Sequence, residues 1–266
     1  MCVSRYEPNG PRRCSGDARG DLERSEEEVR QLEREREVLT SHLEALAADE
    51  EWDGVLSAVL TVQQALPAAS WIGGAAVAAH TGSRRSHDAD HVIPDLDKKW
   101  PQIKSVLESL PRWQTTYPKI PVNMMGRVEG VPVSVRKLNR TRPIEEIEVT
   151  YGDSVIKVAT LAELGRLKAM AAINRNATKD YLDVVALDAE IRRQGHPEGI
   201  AQSLRTLDDY YTADQSMTRL IAERLANPVP RGSDPQGEID RLRGVAPALQ
   251  QWDSIVIDCQ DIARRL

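Results

Sequence analysis

The chain has 266 residues and a formal net charge of −6, from 35 Lys and Arg residues against 41 Asp and Glu residues. This balance excludes a uniformly basic nucleic-acid coat protein. Hydrophobic residues make up 41% and charged residues 29%, which is typical of a soluble globular chain rather than a disordered one. The length allows one large domain or two modest ones.

Membrane and disulfide classes are also disfavoured. No stretch approaches the roughly 18 consecutive apolar residues of a membrane helix, and the first residues lack the apolar core of a signal peptide. We therefore expect a cytoplasmic protein without membrane contact. Cys2, Cys14 and Cys259 lie far apart without a CxxC pair, which favours reduced thiols over a disulfide framework or a zinc site.

The N-terminal region is expected to be a flexible tail followed by helices. Residues 1–22 mix Pro, Gly, Arg and Asp without a hydrophobic period. Ser25 and Glu28 then form a capping-box pattern that predicts a helix start. Leucines recur beyond it at heptad spacing: Leu32, Leu39 and Leu46. This stripe predicts a long surface helix that packs on its own domain or, alternatively, forms a partner or dimer seam.

Residues 70–93 follow a predicted second helix over about residues 51–66. They read as a short strand into Gly73-Gly74, a helix of small residues to about His80, a turn at Gly82, and a strand carrying Asp88 and Asp90. A helix near residues 98–110 follows. Two alternating segments, 123–138 and 150–158, then predict hairpins, so the first half of the chain is expected to be mixed α/β.

The second half is predicted to be helical. Thr160 with Glu163 forms another capping box, and Thr178 begins a further helix that Gly195 ends. Helical periodicity continues to Ala226. Residues 228–232 predict a linker, and residues 236–266 are again expected to be helical.

Asp88 and Asp90 are the leading candidates for metal ligands. Residues two apart on a strand project from the same face. Two carboxylates on one face suit Mg²⁺, which completes its shell with waters and substrate phosphates. A bare DxD pair is also common on surface loops, so its neighbours decide between these interpretations.

The neighbours of this pair favour an anion site. Gly73-Gly74 allows close approach of a phosphate, and the helix that begins there offers free amide protons. Arg84 and Arg85 can pair with phosphate oxygens.

Three further groups leave alternatives open. Lys168 lies in an otherwise apolar helix, where it either reaches solvent or contacts phosphate. His80, His87 and His91 cluster without zinc-type spacing, and alternation places His87 and His91 opposite the aspartates, which favours structural roles. The basic residues that follow the strand hold an RNA backbone or form a solvated loop: Arg136, Lys137, Arg140 and Arg142.

These residues together resemble the AbiEii-type toxins of type IV toxin–antitoxin and abortive-infection systems, within the DNA polymerase β-like nucleotidyltransferases. The resemblance covers about residues 71–187. It rests on Gly73-Gly74 followed by a DxD strand, with Arg84 and Ser86 upstream of the aspartates. Downstream, Lys168 and the run Lys179-Asp180-Tyr181-Leu182-Asp183 are similar to the family's later motifs.

The resemblance implies roles for these residues. Asp88 and Asp90 would hold Mg²⁺. The triphosphate would be bound by a set drawn from both motifs: Gly73, Gly74, Arg84, Ser86 and Lys168. Asp180 or Asp183 would activate the acceptor or complete the metal site. One departure concerns the next strand, where many relatives carry a third carboxylate and this chain has Ser134.

We therefore expect an α+β protein. Its tail (1–22) precedes a nucleotidyltransferase-fold domain with a twisted mixed sheet (23–158) and a helical C-terminal domain (159–266). The implied activity is transfer of a nucleoside monophosphate from a nucleoside triphosphate to an acceptor hydroxyl, on an RNA or tRNA end, by a toxin with a cognate antitoxin protein. A small-molecule (antibiotic-modifying) nucleotidyltransferase and a non-catalytic binding module remain alternatives.

Overall fold

The computed structural model describes residues 18–140 and 142–266. The helices are α1 (Ala18–Leu46), α2 (Glu50–Ala65), α3 (Gly73–Thr81), α4 (Trp100–Glu108), α5 (Leu161–Asn174), α6 (Thr178–Arg193), α7 (Ala201–Leu204), α8 (Leu207–Tyr210), α9 (Met217–Ala226), α10 (Pro235–Asp240) and α11 (Trp252–Arg265). The strands are β1 (Ser70–Ile72), β2 (Ala89–Ile93), β3 (Gln114–Lys119), β4 (Asn123–Val128), β5 (Val131–Lys137), β6 (Glu146–Tyr151) and β7 (Ser154–Ala159).

The strands form one mixed sheet in the order β3-β4-β5-β2-β1-β7-β6. β2 runs antiparallel to β1 and parallel to β5, and β1 runs parallel to β7. In this register Asp90 lies between Ile72 of β1 and Ser134 of β5. Asp90 therefore lies in the middle of the sheet and not at an edge. Asp88 precedes the strand, because β2 begins at Ala89, so the expectation that one strand carries both aspartates is wrong.

Helix α3 packs tightly because its side chains are small. Residues 75–79, with the sequence AAVAA, are at most 1% exposed. Small side chains let this helix approach α1, α5 and α6 closely while it stays next to β1 and β2. The helix ends at Gly82, which takes the left-handed conformation with φ of 61°.

Helix α5 begins where the capping pattern predicts. The Thr160 hydroxyl accepts a hydrogen bond from the Glu163 amide at 3.1 Å. The Glu163 carboxylate does not return to the Thr160 amide, since it accepts hydrogen bonds from Arg140 and Arg166. The sequence pattern thus locates the helix start but supplies only half of the reciprocal capping box.

One continuous hydrophobic core runs from α1 through the sheet to α11. The α+β class is confirmed, with the mixed sheet in the first part and helices after Ala159. The boundary at 158/159 stays a prediction. Within the described residues, no helix has the length and apolarity needed to cross a membrane. The Cys259 thiol is free and buried, while Cys2 and Cys14 lie outside the described residues.

The N-terminal predictions need correction. Helix α1 begins at Ala18, so residues 18–22 are helical and Ser25 lies inside the helix. Residues 1–17 of the predicted tail lie outside the described residues. Leu39 is fully buried and Leu32 is 39% exposed, so the C-terminal half of the leucine stripe packs on its own protein.

Four further features differ from expectation. Strand β3 was not predicted, and β6 begins at Glu146, several residues before the expected start of its hairpin. The predicted helical periodicity up to Ala226 is broken into three separate helices, α7 to α9. Residues 241–246 between α10 and α11 are not helical, and their backbone forms hydrogen bonds with the loop before β2.

Candidate active site

A cleft of about 1210 Å³ opens between the sheet and α5. The ends of β1 and β2, the N-terminus of α3 and one face of α5 line it, together with residues 211–213 and 241–243. It gathers most of the predicted site residues: Gly73, Gly74, Arg84, Ser86, Asp88, Asp90 and Lys168. Asp180 and Asp183 do not line it.

The two glycines allow side chains to approach the backbone at the start of α3. Gly73 has φ of +88°, and a Cβ there would lie 2.5 Å from Oδ2 of Asp90. A Cβ on Gly74 would lie 2.5 Å from the Arg84 guanidinium and 3.2 Å from Oγ of Ser86. The positive φ of Gly73 favours glycine, and a side chain at Gly74 would displace the Arg84 guanidinium. The pair brings a carboxylate and a guanidinium to one helix N-terminus.

The two aspartates differ in their surroundings. Asp88 is exposed, and its carboxylate makes no hydrogen bond or ion pair within the described part of the chain. Asp90 is partly buried and accepts a short hydrogen bond from the Ser134 hydroxyl. The Arg136 guanidinium also lies 3.4 Å from Oδ1 of Asp90 and donates to Ser134 at 3.0 Å. Asp90 is thus already oriented, whereas Asp88 is free.

Lys168, Asp183 and Arg84 form a buried ionic triad. The Asp183 carboxylate is fully buried and lies 2.6 Å from the Lys168 amine. It also accepts two hydrogen bonds from Arg84, at 3.0 and 3.1 Å. Burial disfavours the Asp183 carboxylate, but Lys168 and Arg84 outweigh that effect and lower its pKa. Asp183 therefore positions two cations at the wall of the cleft.

This triad corrects two expectations. Asp183 is not free to complete a metal site, because both of its oxygens bind cations. Arg84 is not a free phosphate ligand, since its remaining nitrogen donates to the Arg85 carbonyl at 3.2 Å. Asp180 is also fully buried and paired, with Arg175, at 2.5 and 2.7 Å. Arg175 was not predicted, because nothing in its sequence context marks it.

The N-terminus of α3 and Ser86 are the neutral donors of the cleft. The first amides of this helix have no intrahelical acceptor, and no side chain among the described residues caps them. Within the described residues, the Ser86 hydroxyl has no hydrogen-bond partner. These groups lie where an anion would be bound by the positive end of the helix dipole.

The predicted basic run begins at the end of β5, with Arg136 and Lys137, and continues beyond it with Arg140 and Arg142. Lys137 pairs with Asp97 at 2.7 Å, and Arg140 pairs with buried Glu163. Arg142 stacks over the Tyr210 ring, 5.0 Å from its centroid. The guanidiniums and the Lys137 amine of this run therefore make contacts within the protein.

The three candidate histidines differ in how deeply they are buried. His80 and His91 are buried, and burial lowers the pKa of each to about 4. Both imidazoles are therefore uncharged at neutral pH. His87 is exposed and lines the cleft beside Asp88, so the prediction that it faces away from the aspartates is wrong.

A segment distant in sequence completes the cleft. The Arg85 amide donates to the Arg243 carbonyl, and the Ala246 amide donates to the Ser83 carbonyl, both at 2.8 Å. The side chains of Arg85 and Arg243 both pair with Glu51 at 3.0 Å. No motif in the sequence indicates this contact.

The carboxylates present fit a Mg²⁺ ion bound jointly with a substrate. Within residues 18–140 and 142–266, no group of three or more His, Cys, Asp or Glu side chains could hold a metal alone. Mg²⁺ typically uses one or two carboxylates and takes its other ligands from water and phosphates. Asp88 and Asp90 meet that requirement, with Ser134 in place of a third carboxylate.

No protein-family model matches the sequence, and no curated protein is significantly similar to it. Among solved structures, JHP933 from Helicobacter pylori is 11% identical, with a TM-score of 0.48, over 81% of this chain and 91% of that one. A second H. pylori structure, provisionally described as a nucleotidyltransferase, is 11% identical with a TM-score of 0.47, over 80% and 91% of the two chains. At this distance neither similarity carries an argument about the activity of this chain.

Proposed function

We propose that the protein transfers a nucleoside monophosphate from a nucleoside triphosphate to an acceptor hydroxyl. The observation that carries this proposal is one cleft lined by Asp88 and Asp90, by the uncapped N-terminus of α3 and by the Lys168 amine. Carboxylates of this kind suit a metal bound to phosphates, and the amides and ammonium group suit the phosphates themselves.

The chain's own groups bind and orient the triphosphate in this proposal. The α3 amides and the Ser86 hydroxyl donate hydrogen bonds to phosphate oxygens, and Lys168 supplies a positive charge that Asp183 holds in place. The acceptor oxygen bonds to the α-phosphorus while the bond to the bridging oxygen breaks, and pyrophosphate and the hydroxyl proton leave. Mg²⁺ held by Asp88 and Asp90 would neutralise charge on the phosphates.

The proposal is tested by incubating the protein with labelled nucleoside triphosphates, Mg²⁺ and total RNA and measuring the transfer of label to RNA. We expect label transfer that an Asp88→Ala, Asp90→Ala double variant and a metal chelator both abolish. An Asp153→Ala variant, in the exposed β6–β7 turn, should retain the activity. Equal transfer by the double variant would refute the mechanism.

Lys168 is tested separately by nucleotide affinity. Loss of a charged hydrogen bond costs about 1.5–3 kcal/mol, so Lys168→Ala should weaken triphosphate binding about tenfold to a hundredfold. Thermal unfolding of the same variant shows whether the fold survives. An unchanged affinity in a folded variant would remove Lys168 from the triphosphate site.

For the acceptor we propose an RNA end, such as that of tRNA, and a growth-inhibiting toxin with a cognate antitoxin. The resemblance to AbiEii-type toxins supports this. Two exposed cations of the cleft, Lys179 and Arg241, also have no ion-pair partner among the described residues. Expression of the chain alone should slow growth, and co-expression of its antitoxin should restore it. Normal growth at high expression would refute the toxin proposal.

A small-molecule acceptor is the second candidate. It is favoured by the ion pairs that engage most basic residues near the cleft, among them Arg85 and Arg136. Such an acceptor would need a compact polar pocket and not a long basic groove. In the labelling assay, the label would then appear in low-mass products and not in RNA. No transfer to either acceptor would favour a binding-only role, with which the serine at position 134 is consistent.

A further inference from the structure

A second cavity, of about 210 Å³, lies at the N-terminus of α6. Residues from α6 and from the segment around α10 line it: Ala177, Thr178, Lys179, Glu238, Arg241 and Leu242. Lys179, Arg241 and Leu242 also line the large cleft, so the two spaces share a wall. The volume is below the roughly 300–1,000 Å³ of pockets that enclose a drug-sized ligand, and so it suits one small group.

The backbone at this cavity offers unpaired donors. Helix α6 is 16 residues long, and its N-cap residue, Ala177, provides no side-chain hydrogen bond. The Asp180 amide bonds to the Ala177 carbonyl at 2.9 Å, but the amides of Thr178 and Lys179 have no intrahelical acceptor. These two amides point along the positive end of the helix dipole, as in many phosphate sites.

The Thr178 side chain is a second, independent indication of a ligand. Thr178 is 1% exposed, and its hydroxyl has no hydrogen-bond partner among the described residues. A buried hydroxyl without a hydrogen-bond partner destabilises the folded protein. A bound group that hydrogen-bonds to this hydroxyl would remove that destabilisation.

The charges around the cavity favour an anion. Lys179 and Arg241 are exposed and make no ion pair within the described residues, in contrast to Arg84 and Arg85. Glu238 opposes them with one partly buried carboxylate. Two cations and a helix N-terminus against one carboxylate leave a positive balance, which a phosphate group matches in charge and in number of acceptors.

We propose that this cavity is a phosphate subsite for the acceptor strand, which binds one phosphate through the Thr178 and Lys179 amides, the Thr178 hydroxyl, and the Lys179 and Arg241 side chains. The assignment to an acceptor strand rests on the proposed function, while the phosphate site itself does not. Because the cavity and the cleft share lining residues, a strand bound here would lie next to the proposed nucleotide site.

The test measures binding of a short 5′-phosphorylated oligoribonucleotide, without nucleotide or metal, over a range of salt concentrations. Lys179→Gln and Arg241→Gln should each weaken binding several-fold and reduce the slope of log affinity against log salt by about 0.7, the value for one lost contact to a single strand. Lys98→Gln, a control at an exposed lysine paired with Asp95, should change neither quantity. Thr178→Val should weaken binding, and Thr178→Ser should not.

The outcomes separate the sources of the phosphate. The affinity of these variants for the triphosphate, measured without RNA, should be unchanged. Variants that bind RNA normally but bind the triphosphate more weakly would assign the subsite to the nucleotide instead. Wild-type protein that does not bind the strand, or Lys179→Gln and Arg241→Gln variants that bind it like Lys98→Gln, would overturn the proposal. If the variants lose RNA binding while the wild type transfers no nucleotide, the subsite stands and the proposed function falls.

Discussion

Replacement of Asp183 by asparagine tests the buried triad most directly. The variant keeps the shape of the side chain but removes the one negative charge that lies against Lys168 and Arg84, both less than 10% exposed. Breaking a buried ion pair in this way typically costs about 3–5 kcal/mol, because the remaining charge loses its compensation. Since two cations lose their partner here, we expect a decrease in unfolding free energy within that range.

Urea unfolding of wild type and variant at neutral pH measures this decrease. Asp95→Asn is the matched control, because Asp95 pairs with Lys98 at the surface, where such pairs contribute less than about 1 kcal/mol. Lys168→Met should cost less in the Asp183→Asn background than in the wild type, since it then removes an uncompensated charge. Equal stabilities of Asp183→Asn and Asp95→Asn would refute the account of the triad.

The pH dependence of this difference has a defined sign. The pKa of Asp183 is lowered in the folded protein, so its contribution is complete above the unfolded value of about 3.9 and is lost as the pH falls through the folded value. The stability difference between wild type and Asp183→Asn should therefore be constant from about pH 8 to pH 5 and narrow only in more acidic solution. A difference that declined between pH 8 and pH 6 would contradict this assignment.

Two other substitutions test particular contacts. Gly73→Ala should lower the thermal stability of the protein more than Gly82→Ala does. Both glycines have positive φ, but only a Cβ at position 73 would contact Asp90. Equal losses of stability in the two variants would mean that the Asp90 carboxylate moves away freely. Burial raises the pKa of Glu35 to about 8, whereas the carboxyl in the unfolded chain loses its proton above about pH 4.5. The stability that Glu35 contributes is therefore lost as the pH rises from about 4.5 to 8. Glu35→Gln keeps an acceptor for the Leu161 amide but cannot ionise. The stability of this variant relative to wild type should therefore rise from about pH 4.5 to pH 8. A stability difference that stays constant over this range would show that Glu35 is ionised in the folded protein.

Local patterns were sufficient to predict the elements that carry the site. Gly73-Gly74 marks the start of α3, and the threonine at position 160 marks the start of α5, because both signals act within a few residues. Strand β3 was missed because its sequence, QTTYPK, has no apolar alternation, and its register with β4 is shifted between Thr115 and Tyr117.

The partners of the site residues could not be predicted in this way. Asp183 and Arg84 are 99 positions apart, and Arg243 and Glu51 are 192 apart. No periodicity or spacing links residues across such distances, because their contact results from tertiary packing. The sequence therefore indicated which residue types gather in the cleft, but not that Asp183 neutralises Lys168 and Arg84 there.

The contact between residues 241–246 and the loop before β2 affects when the cleft forms during synthesis of the chain. The backbone bonds of Arg85 and Ser83 to this segment join parts of the chain about 160 positions apart. A ribosome releases the N-terminal part first, and contacts of such long sequence separation form late in folding. The nascent chain therefore carries its aspartates and glycines well before the loop that presents them is fixed, and it gains a complete cleft only after residues 241–246 have been synthesised and have left the ribosome.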